Sequence, residues 1–248
     1  MSHLGLPARI STCLFDLDGV LTHTAAIHFD AWKQTFDEYL RVRATTTSEQ
    51  FQPFEMSDYL QYVDGKPRAE GVRSFLMSRG VHLDDGQPDD PPGSETIFGI
   101  GNRKHELVLR LMEEKGVEAF EGSRTYVKAV QAAGLKAAVV SASTNTRAVL
   151  AASGLTRHFD TVVDGNTAKQ EGLRGKPFPD TFLHAAKKVG VPPAQAAVFE
   201  DALAGVKAAH DGRFGFVVGV DRAGQAEALR KGGADVVVTD LAELLEPE

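Results

Sequence analysis

Residues 13–22 read CLFDLDGVLT and join an apolar run to two closely spaced carboxylates. Residues 10–15 are mostly apolar and have the length of a buried strand. Asp16 and Asp18 follow at once, and Gly19 then lets the chain turn sharply. Because ligands of an open parallel α/β sheet bind beyond the carboxyl ends of its strands, the sequence predicts that both aspartates lie at a ligand site.

The spacing of the two aspartates suggests a metal and a reaction. Two carboxylates this close repel each other unless a cation offsets their charge. Mg²⁺ favours carboxylate oxygens and a phosphate partner. Such a site could use Asp16 as a nucleophile on phosphorus, and Asp18 as the acid and base for the leaving and attacking oxygens. The alternative is a simple acidic turn after a strand, since a bare Asp-x-Asp pattern is weak evidence.

Size and composition limit the class of protein. The chain has 248 residues, 42% of them hydrophobic, which suits one large or two small domains. The formal net charge of −7 argues against broad nucleic-acid binding. No run reaches the roughly 18 apolar residues of a membrane span, the N-terminus lacks a signal-peptide core, and Cys13 has no second cysteine to pair with. We therefore expect a cytoplasmic, monomeric protein without nucleic-acid or membrane partners.

Two patterns divide the chain. Residues 24–117 read as mainly helical, apart from a polar loop rich in Asp, Pro and Gly at 81–94. From about residue 118, helical and strand-like segments alternate, which indicates a parallel sheet with crossover helices. The strand at 10–15 must join that sheet. We predict an α/β fold in which residues 1–23 and 118–248 form a Rossmann-like parallel-sheet core, and residues 24–117 an inserted, mainly α-helical cap domain.

Local signals refine these boundaries. Apolar spacing predicts a helix from residue 24 to about 40, a connection at 43–49 and a mainly helical segment at 95–115. Thr24, Ser48 and Asp180 are candidate helix caps. The later strands are predicted at residues 135–140, 159–163, 196–199, 214–220 and 234–238.

Polar side chains recur near later strand ends. Ser141, Ser143 and Asn145 follow the strand LKAAVV, where hydroxyls and backbone amides at a helix start can cradle phosphate. An ordinary helix cap is the alternative. Lys176 lies in a loop held by two prolines and can act as a point charge against phosphate, although a solvated loop lysine would look the same.

A last acidic pair completes the series. Glu200 and Asp201 follow the strand AAVF and again suggest a metal site, with stabilisation of a helix N-terminus as the alternative. The four signals occur in the order Asp-x-Asp, Ser, Lys, Glu-Asp. All but Lys176 follow directly on a predicted strand, which argues against chance.

FDLDGVLT and this order of residues resemble the haloacid dehalogenase superfamily, whose members are mostly phosphatases and phosphomutases. The resemblance implies one Mg²⁺ per chain, bound with help from the Asp18 backbone carbonyl. It also implies the following roles: Asp16 as nucleophile, Asp18 as general acid/base, Ser141 as second-motif hydroxyl, Lys176 as third-motif lysine, and Asp201 as a metal ligand with Glu200 beside it.

Residues 24–32 (TAAIHFDAW) and 141–145 (SASTN) resemble the β-phosphoglucomutase-like subfamily with a helical cap. That likeness implies that His28 helps set the protonation of the acid/base aspartate, and that Arg68 and Lys104 hold phosphate and sugar. Two features depart from the subfamily, namely the negative Asp64 before Arg68 and the length of the 81–94 loop. The implied substrate-binding residues are Thr24, His28, Trp32, Arg68, Lys104, Ser141, Ala142, Ser143 and Asn145.

The implied function is a Mg²⁺-dependent mutase that converts β-glucose 1-phosphate into glucose 6-phosphate through an aspartyl-phosphate, with a sugar bisphosphate as activator. A phosphatase acting on a small phosphorylated sugar would use the same intermediate and discharge it with water. A non-catalytic phosphosugar-binding protein is disfavoured, because the nucleophile, the acid/base, the lysine and the metal acid are all present.

Overall fold

The computed structural model describes residues 4–47 and 50–245. The chain splits into two compact units. One unit consists of Met1–His23, Gly65–Pro67 and Val117–Glu248, and the other of Thr24–Asp64 and Arg68–Gly116. We call them the sheet unit and the helical unit.

The sheet unit contains a six-stranded parallel sheet in the order β3-β2-β1-β4-β5-β6. Phe15 at the end of β1 pairs with Val139 on one side and with Phe199 on the other. The three strands therefore end at the same edge of the sheet, within one residue of these positions. The strands are β1 (Thr12–Phe15), β2 (Lys136–Val140), β3 (Thr161–Val163), β4 (Ala196–Glu200), β5 (Phe216–Val220) and β6 (Val236–Val238).

The helices of the described residues follow the two predicted patterns. The described residues form ten α-helices: α1 (Thr24–Thr46), α2 (Met56–Asp58), α3 (Arg68–Ser78), α4 (Ile97–Lys115), α5 (Glu121–Ala132), α6 (Thr146–Ala152), α7 (Gly165–Gln170), α8 (Asp180–Val189), α9 (Leu203–Asp211) and α10 (Ala226–Gly232). A π-helical turn, Tyr59–Val63, continues α2. Among residues 4–47 and 50–245, none of the helices combines the length and apolar character needed to cross a membrane.

The central strands are buried throughout, as expected of a parallel sheet covered by helices on both faces. Leu14 and Val198 lie in one core cluster with Phe182 of α8 and Val206 of α9. Each such side chain contributes about 1.5–3 kcal/mol by leaving water. This packing holds the carboxyl ends of β1 and β4 in place.

The helical unit has an aromatic core of its own. Trp32 and Phe36 lie one turn apart on α1 and stack with ring centroids 5.0 Å apart. Phe36 in turn contacts Phe75 of α3 at 4.3 Å, and Phe54 at 5.1 Å. Residues 81–94 contain no helix or strand, which confirms the predicted loop.

Several local predictions were wrong. α1 continues through Thr46, so residues 43–46 are helical, and hydroxyls such as that of Thr46 bond back to the carbonyl one turn earlier. Thr24 is the first residue of α1. Asp180 does not cap α8, because its carboxylate binds the guanidinium of Arg174 at 2.9 Å. The proposed cap Ser48 lies outside the described residues.

The boundary between the units also differs from the predicted one at residues 65–67 and at residue 117. Residues 65–67 return to the sheet unit, where Gly65 approaches Ala202 so closely that a Cβ on the glycine would lie 2.9 Å from the alanine Cβ. Pro67 packs against Gly175 in the same way. A contact between segments so distant in sequence leaves no periodic signal.

Candidate active site

Three buried carboxylates meet at the carboxyl ends of β1 and β4. Asp16 follows β1, Glu200 ends β4 and Asp201 follows it. One oxygen of each lies within 4.8 Å of the others, and all three residues are buried. An all-oxygen, all-anionic donor set fits a hard divalent cation such as Mg²⁺. The structure thus brings these predicted metal ligands together.

Lys176 links two of these carboxylates. Its ammonium group donates hydrogen bonds to Asp16 Oδ1 and Glu200 Oε1, and to the Val140 carbonyl at 3.2 Å. Burial opposes the positive charge of Lys176, but the two carboxylates outweigh it and raise the pKa of the lysine. The two carboxylates therefore favour the charged ammonium form of Lys176 over the neutral form that a base would need.

Asp16 lies in an environment that disfavours its negative charge. Burial raises the pKa of the Asp16 carboxyl well above its ordinary value, and the nearby carboxylates of Glu200 and Asp18 raise it further. Lys176 acts in the opposite direction. A divalent cation in the carboxylate cluster would act in the same direction as Lys176 and favour the anionic nucleophile.

The segment after β2 connects to the Asp18 side of the site. Ser141 Oγ lies 3.5 Å from Asp18 Oδ2, at the long limit of a hydrogen bond. The Ser143 amide donates to Ser141 Oγ at 3.1 Å, and the Asn145 amide donates to Ser143 Oγ at the same distance. The carbonyl of Ala142 approaches Gly165, where a Cβ would lie 2.7 Å from it. These bonds order the segment from Ser141 to Asn145, whose first hydroxyl lies beside Asp18.

Gly19 allows the turn after β1 to pass close to Asp201. Its φ is +90°, a conformation that glycine adopts readily and other residues rarely. A Cβ at this position would lie 1.8 Å from Asp201 Oδ2. Glycine is thus required at position 19 for two reasons, namely the backbone conformation of the predicted sharp turn and the space that Asp201 occupies.

In the helical unit, His28, Trp32 and Lys104 form a second group of predicted site residues. Lys104 Nζ lies 2.9 Å from His28 Nδ1, and 4.7 Å from the centre of the Trp32 ring. A lysine ammonium only donates hydrogen bonds, so Nδ1 must accept and the ring proton is on Nε2. Lys104 thereby selects one tautomer of His28. Lys104 is 5% exposed, so its charge is held in a largely desolvated position.

Arg68 and Thr24 lie at helix starts of the same unit. Arg68 is the first residue of α3 and donates to Asn102 Oδ1 at 3.2 Å. Burial lowers the pKa of Arg68 from its ordinary value. Thr24 is fully buried in the first turn of α1. The predicted residues thus fall into one group at the sheet edge and others within the helical unit.

Comparison with known proteins agrees with this geometry. A family model described as haloacid dehalogenase-like hydrolase matches residues 10–212. The chain belongs to this haloacid dehalogenase-like hydrolase family. The predicted family, the α/β fold and the prediction of an enzyme are thereby confirmed, and the protein is a phosphotransferase or phosphatase of the haloacid dehalogenase type.

Individual relatives of this haloacid dehalogenase-like enzyme have names that specify a reaction or a substrate class. It is 56% identical over 246 residues to a β-phosphoglucomutase of Mycobacterium bovis, covering 98% of this chain and 94% of the relative. A crystal structure of β-phosphoglucomutase from Clostridium difficile superposes with a TM-score of 0.73 at 26% identity, covering 95% and 93% of the two chains. A phosphorylated carbohydrates phosphatase of Thermotoga maritima is 26% identical over 91% of this chain and 92% of the relative.

Sequence reasoning missed two residues that support the site of this haloacid dehalogenase-like enzyme. Arg222 Nε donates to the Gly19 carbonyl at 2.9 Å, and its guanidinium lies 3.6 Å from the centre of the Phe120 ring. Gln225 Nε2 donates to the Asp201 carbonyl at 3.0 Å. Both follow β5, so the rule that polar residues at the carboxyl ends of parallel strands line the site could have found them.

Glycine 205 provides a test of how tightly Glu200 is held. A Cβ at Gly205 would lie 1.9 Å from Glu200 Oε1, while Lys176 and the Ala202 amide hold that carboxylate in place. Alanine normally stabilises a helix by about 1 kcal/mol relative to glycine. We expect Gly205→Ala to do the opposite, lowering the free energy of unfolding by about 1–3 kcal/mol through overpacking, as measured by urea denaturation.

The matched control is Gly232→Ala at the end of α10. A Cβ there would lie 3.4 Å from Val206 Cγ1, an ordinary contact. We expect little change in stability for this variant. If Gly205→Ala were as stable as the control and bound Mg²⁺ with unchanged affinity, Glu200 would not be held as described.

Proposed function

We propose that this protein is a Mg²⁺-dependent β-phosphoglucomutase, which converts β-glucose 1-phosphate into glucose 6-phosphate through an aspartyl-phosphate at Asp16. The observation that carries the proposal is that the buried Asp16 belongs to a carboxylate cluster suited to a cation and forms an ion pair with Lys176. The chain that holds this site is 56% identical to a β-phosphoglucomutase over nearly its whole length. A buried carboxylate beside a cation site is suited to attack a phosphate ester, because the positive charges screen the repulsion between two anions.

Asp16, Glu200 and Asp201 would hold one Mg²⁺, together with the backbone carbonyl of Asp18. The cluster of Asp16, Glu200 and Asp201 carboxylates supports three of these ligands, and the side chain of Asp18 does not belong to that cluster. When bound, the ion supplies charge stabilisation to the phosphoryl group during transfer. Lys176 offsets part of the negative charge of the cluster through its ion pairs with Asp16 and Glu200.

The aspartates carry out the transfer itself. A carboxylate oxygen of Asp16 forms a bond to phosphorus while the bond from phosphorus to the sugar oxygen breaks, and Asp18 gives its proton to that leaving oxygen. In the return step, Asp18 takes the proton of the attacking sugar hydroxyl, whose oxygen bonds to phosphorus as Asp16 is released. The hydroxyls of Ser141 and Ser143, with the segment through Asn145, would bind the transferred phosphate.

A mutase must also hold a second phosphate, because its intermediate is a sugar bisphosphate. Activation by a sugar bisphosphate would phosphorylate Asp16 and start the cycle. We assign the second phosphate to Arg68, whose planar guanidinium suits bidentate contact. His28, Trp32 and Lys104, with Thr24 at the start of α1, would contact the sugar.

A phosphatase is the second candidate, and the relative from Thermotoga maritima favours it by its name. Such an enzyme would form the same aspartyl-phosphate at Asp16. Water would replace the sugar hydroxyl in the return step, with Asp18 as its base. The two candidates therefore differ in the acceptor of the phosphoryl group.

One assay separates the candidates. The protein is supplied with β-glucose 1-phosphate, Mg²⁺ and a trace of glucose 1,6-bisphosphate, and glucose 6-phosphate and free phosphate are followed together. We expect glucose 6-phosphate to form with little release of phosphate, and chelation of Mg²⁺ to stop the reaction. Phosphate release without isomerisation would contradict the mutase and identify a phosphatase. If neither glucose 6-phosphate nor free phosphate formed, β-glucose 1-phosphate would be excluded as a substrate.

A further inference from the structure

Asn102 of α4 joins Arg68 to the loop of residues 81–94. Its Nδ2 donates to the Asp90 carbonyl at 2.9 Å and to the Pro88 carbonyl at 3.1 Å. Its Oδ1 accepts the bond from Arg68 Nη2 at 3.2 Å. All of these residues belong to the helical unit. The loop that departs from the compact subfamily pattern thus reaches the proposed phosphate-binding arginine through one side chain.

These partners determine which way the amide of Asn102 faces. The nitrogen carries two donors and the oxygen only accepts. A flipped amide would place Oδ1 against the carbonyl oxygens of Pro88 and Asp90, and would turn two N–H groups toward the cationic Arg68. Both arrangements are repulsive. The loop carbonyls therefore hold Oδ1 toward the guanidinium.

The loop is anchored well enough to hold the amide of Asn102. Thr96 Oγ1 donates to Asp90 Oδ2 at 2.6 Å, next to the carbonyl that Asn102 binds. The amides of Ile97 and Phe98 donate to the carbonyls of Asp84 and Asp85 at 3.0 and 3.1 Å. The start of α4 and the loop are therefore joined by both side-chain and backbone bonds.

The chemical nature of the partner matters as much as its position. An amide oxygen orients the guanidinium of Arg68 without cancelling its charge, whereas a carboxylate would form an ion pair. Burial removes part of the hydration of Arg68 and lowers the pKa of its guanidinium from the ordinary value. Because a neutral amide does not compensate the charge of this partly desolvated cation, the guanidinium can attract an anionic ligand strongly.

We infer that Asn102 is a positioning residue, which, with the 81–94 loop, holds Arg68 in the conformation that binds the phosphate not being transferred. The inference rests on the proposed role of Arg68 in the mutase. It gives the loop a task in recognition of the sugar bisphosphate.

A double-mutant cycle in binding tests the inference without turnover. In an Asp16→Ala background, the affinity for glucose 1,6-bisphosphate is measured by calorimetry with Asn102→Ala, Arg68→Ala and both. We expect Asn102→Ala to weaken binding about tenfold, the value of one hydrogen bond to a charged group. Arg68→Ala should weaken it more, and Asn102→Ala should then add less than about twofold, because it acts through Arg68.

The control variant is Asp85→Ala, which removes an exposed ion pair with Arg73 at 2.6 Å in the same loop and leaves Asn102 alone. We expect its affinity to stay within about twofold of the background, as for most exposed pairs. Equal losses from Asn102→Ala with and without Arg68 would overturn the inference, as would the absence of any binding by the background protein.

The proposed function and this inference fail in different ways. A wild-type protein that releases phosphate without isomerising β-glucose 1-phosphate refutes the mutase. The binding cycle still reports the coupling of Arg68 and Asn102 in that case. Coupling that persists supports the positioning role, and additive losses refute it whichever reaction the enzyme performs.

Discussion

Asp16→Ala is expected to reduce kcat by at least about 10⁴-fold, as removal of a covalent nucleophile does in other enzymes. In the proposed reaction the bond to phosphorus forms at Asp16, and Lys176 does not replace it because the carboxylates of Asp16 and Glu200 favour its charged, non-nucleophilic form. Asp16→Asn should fail equally, since it keeps the volume of the side chain but not its anionic oxygen. Mass spectrometry after incubation with a sugar bisphosphate should detect a phosphoryl group on the wild-type chain and on neither of the two variants.

The matched control is Asp211→Ala, at the end of α9. Asp211 pairs with Lys207 at 2.7 Å on the surface, where such pairs contribute about 0–1 kcal/mol. We expect its kcat to be unchanged. Turnover by Asp16→Ala at a rate near that of this control would remove Asp16 from the chemistry.

Lys176→Met is expected to lower the free energy of unfolding by about 3–5 kcal/mol, the usual cost of removing one partner of a buried ion pair. Asp16 and Glu200 would remain buried beside each other without their shared cation. For a chain of this size the loss corresponds to a fall in Tm of roughly 10 °C, measured by calorimetry in a chelating buffer. Turnover should also fall, because the variant lacks the cation that favours ionised Asp16.

Mg²⁺ should raise the Tm of Lys176→Met more than that of the wild type, since a divalent cation offsets the same carboxylates that the lysine did. The control is Lys207→Met, which removes an exposed lysine and should change stability by less than about 0.5 kcal/mol. If both lysine variants had the wild-type Tm, the carboxylate cluster would not depend on Lys176 for compensation of its charge.

Much of the site could be predicted from local sequence. The apolar run before Asp16, and those before Ser141 and Glu200, mark strands of a parallel sheet, and polar residues after such strands gather at one edge. The order of the motifs then predicted the family, which the family model confirmed. These features depend on period, length and neighbouring residues, so they are readable without a structure.

The tertiary structure decided which groups are partners. Lys176 binds Asp16 across 160 residues of sequence, and Arg222 binds the Gly19 carbonyl across 203. The steric need for glycine at position 205 appears only when Glu200 lies against α9. Local patterns cannot encode such contacts, because they depend on how distant segments pack around the shared core, and that packing is a property of the whole chain.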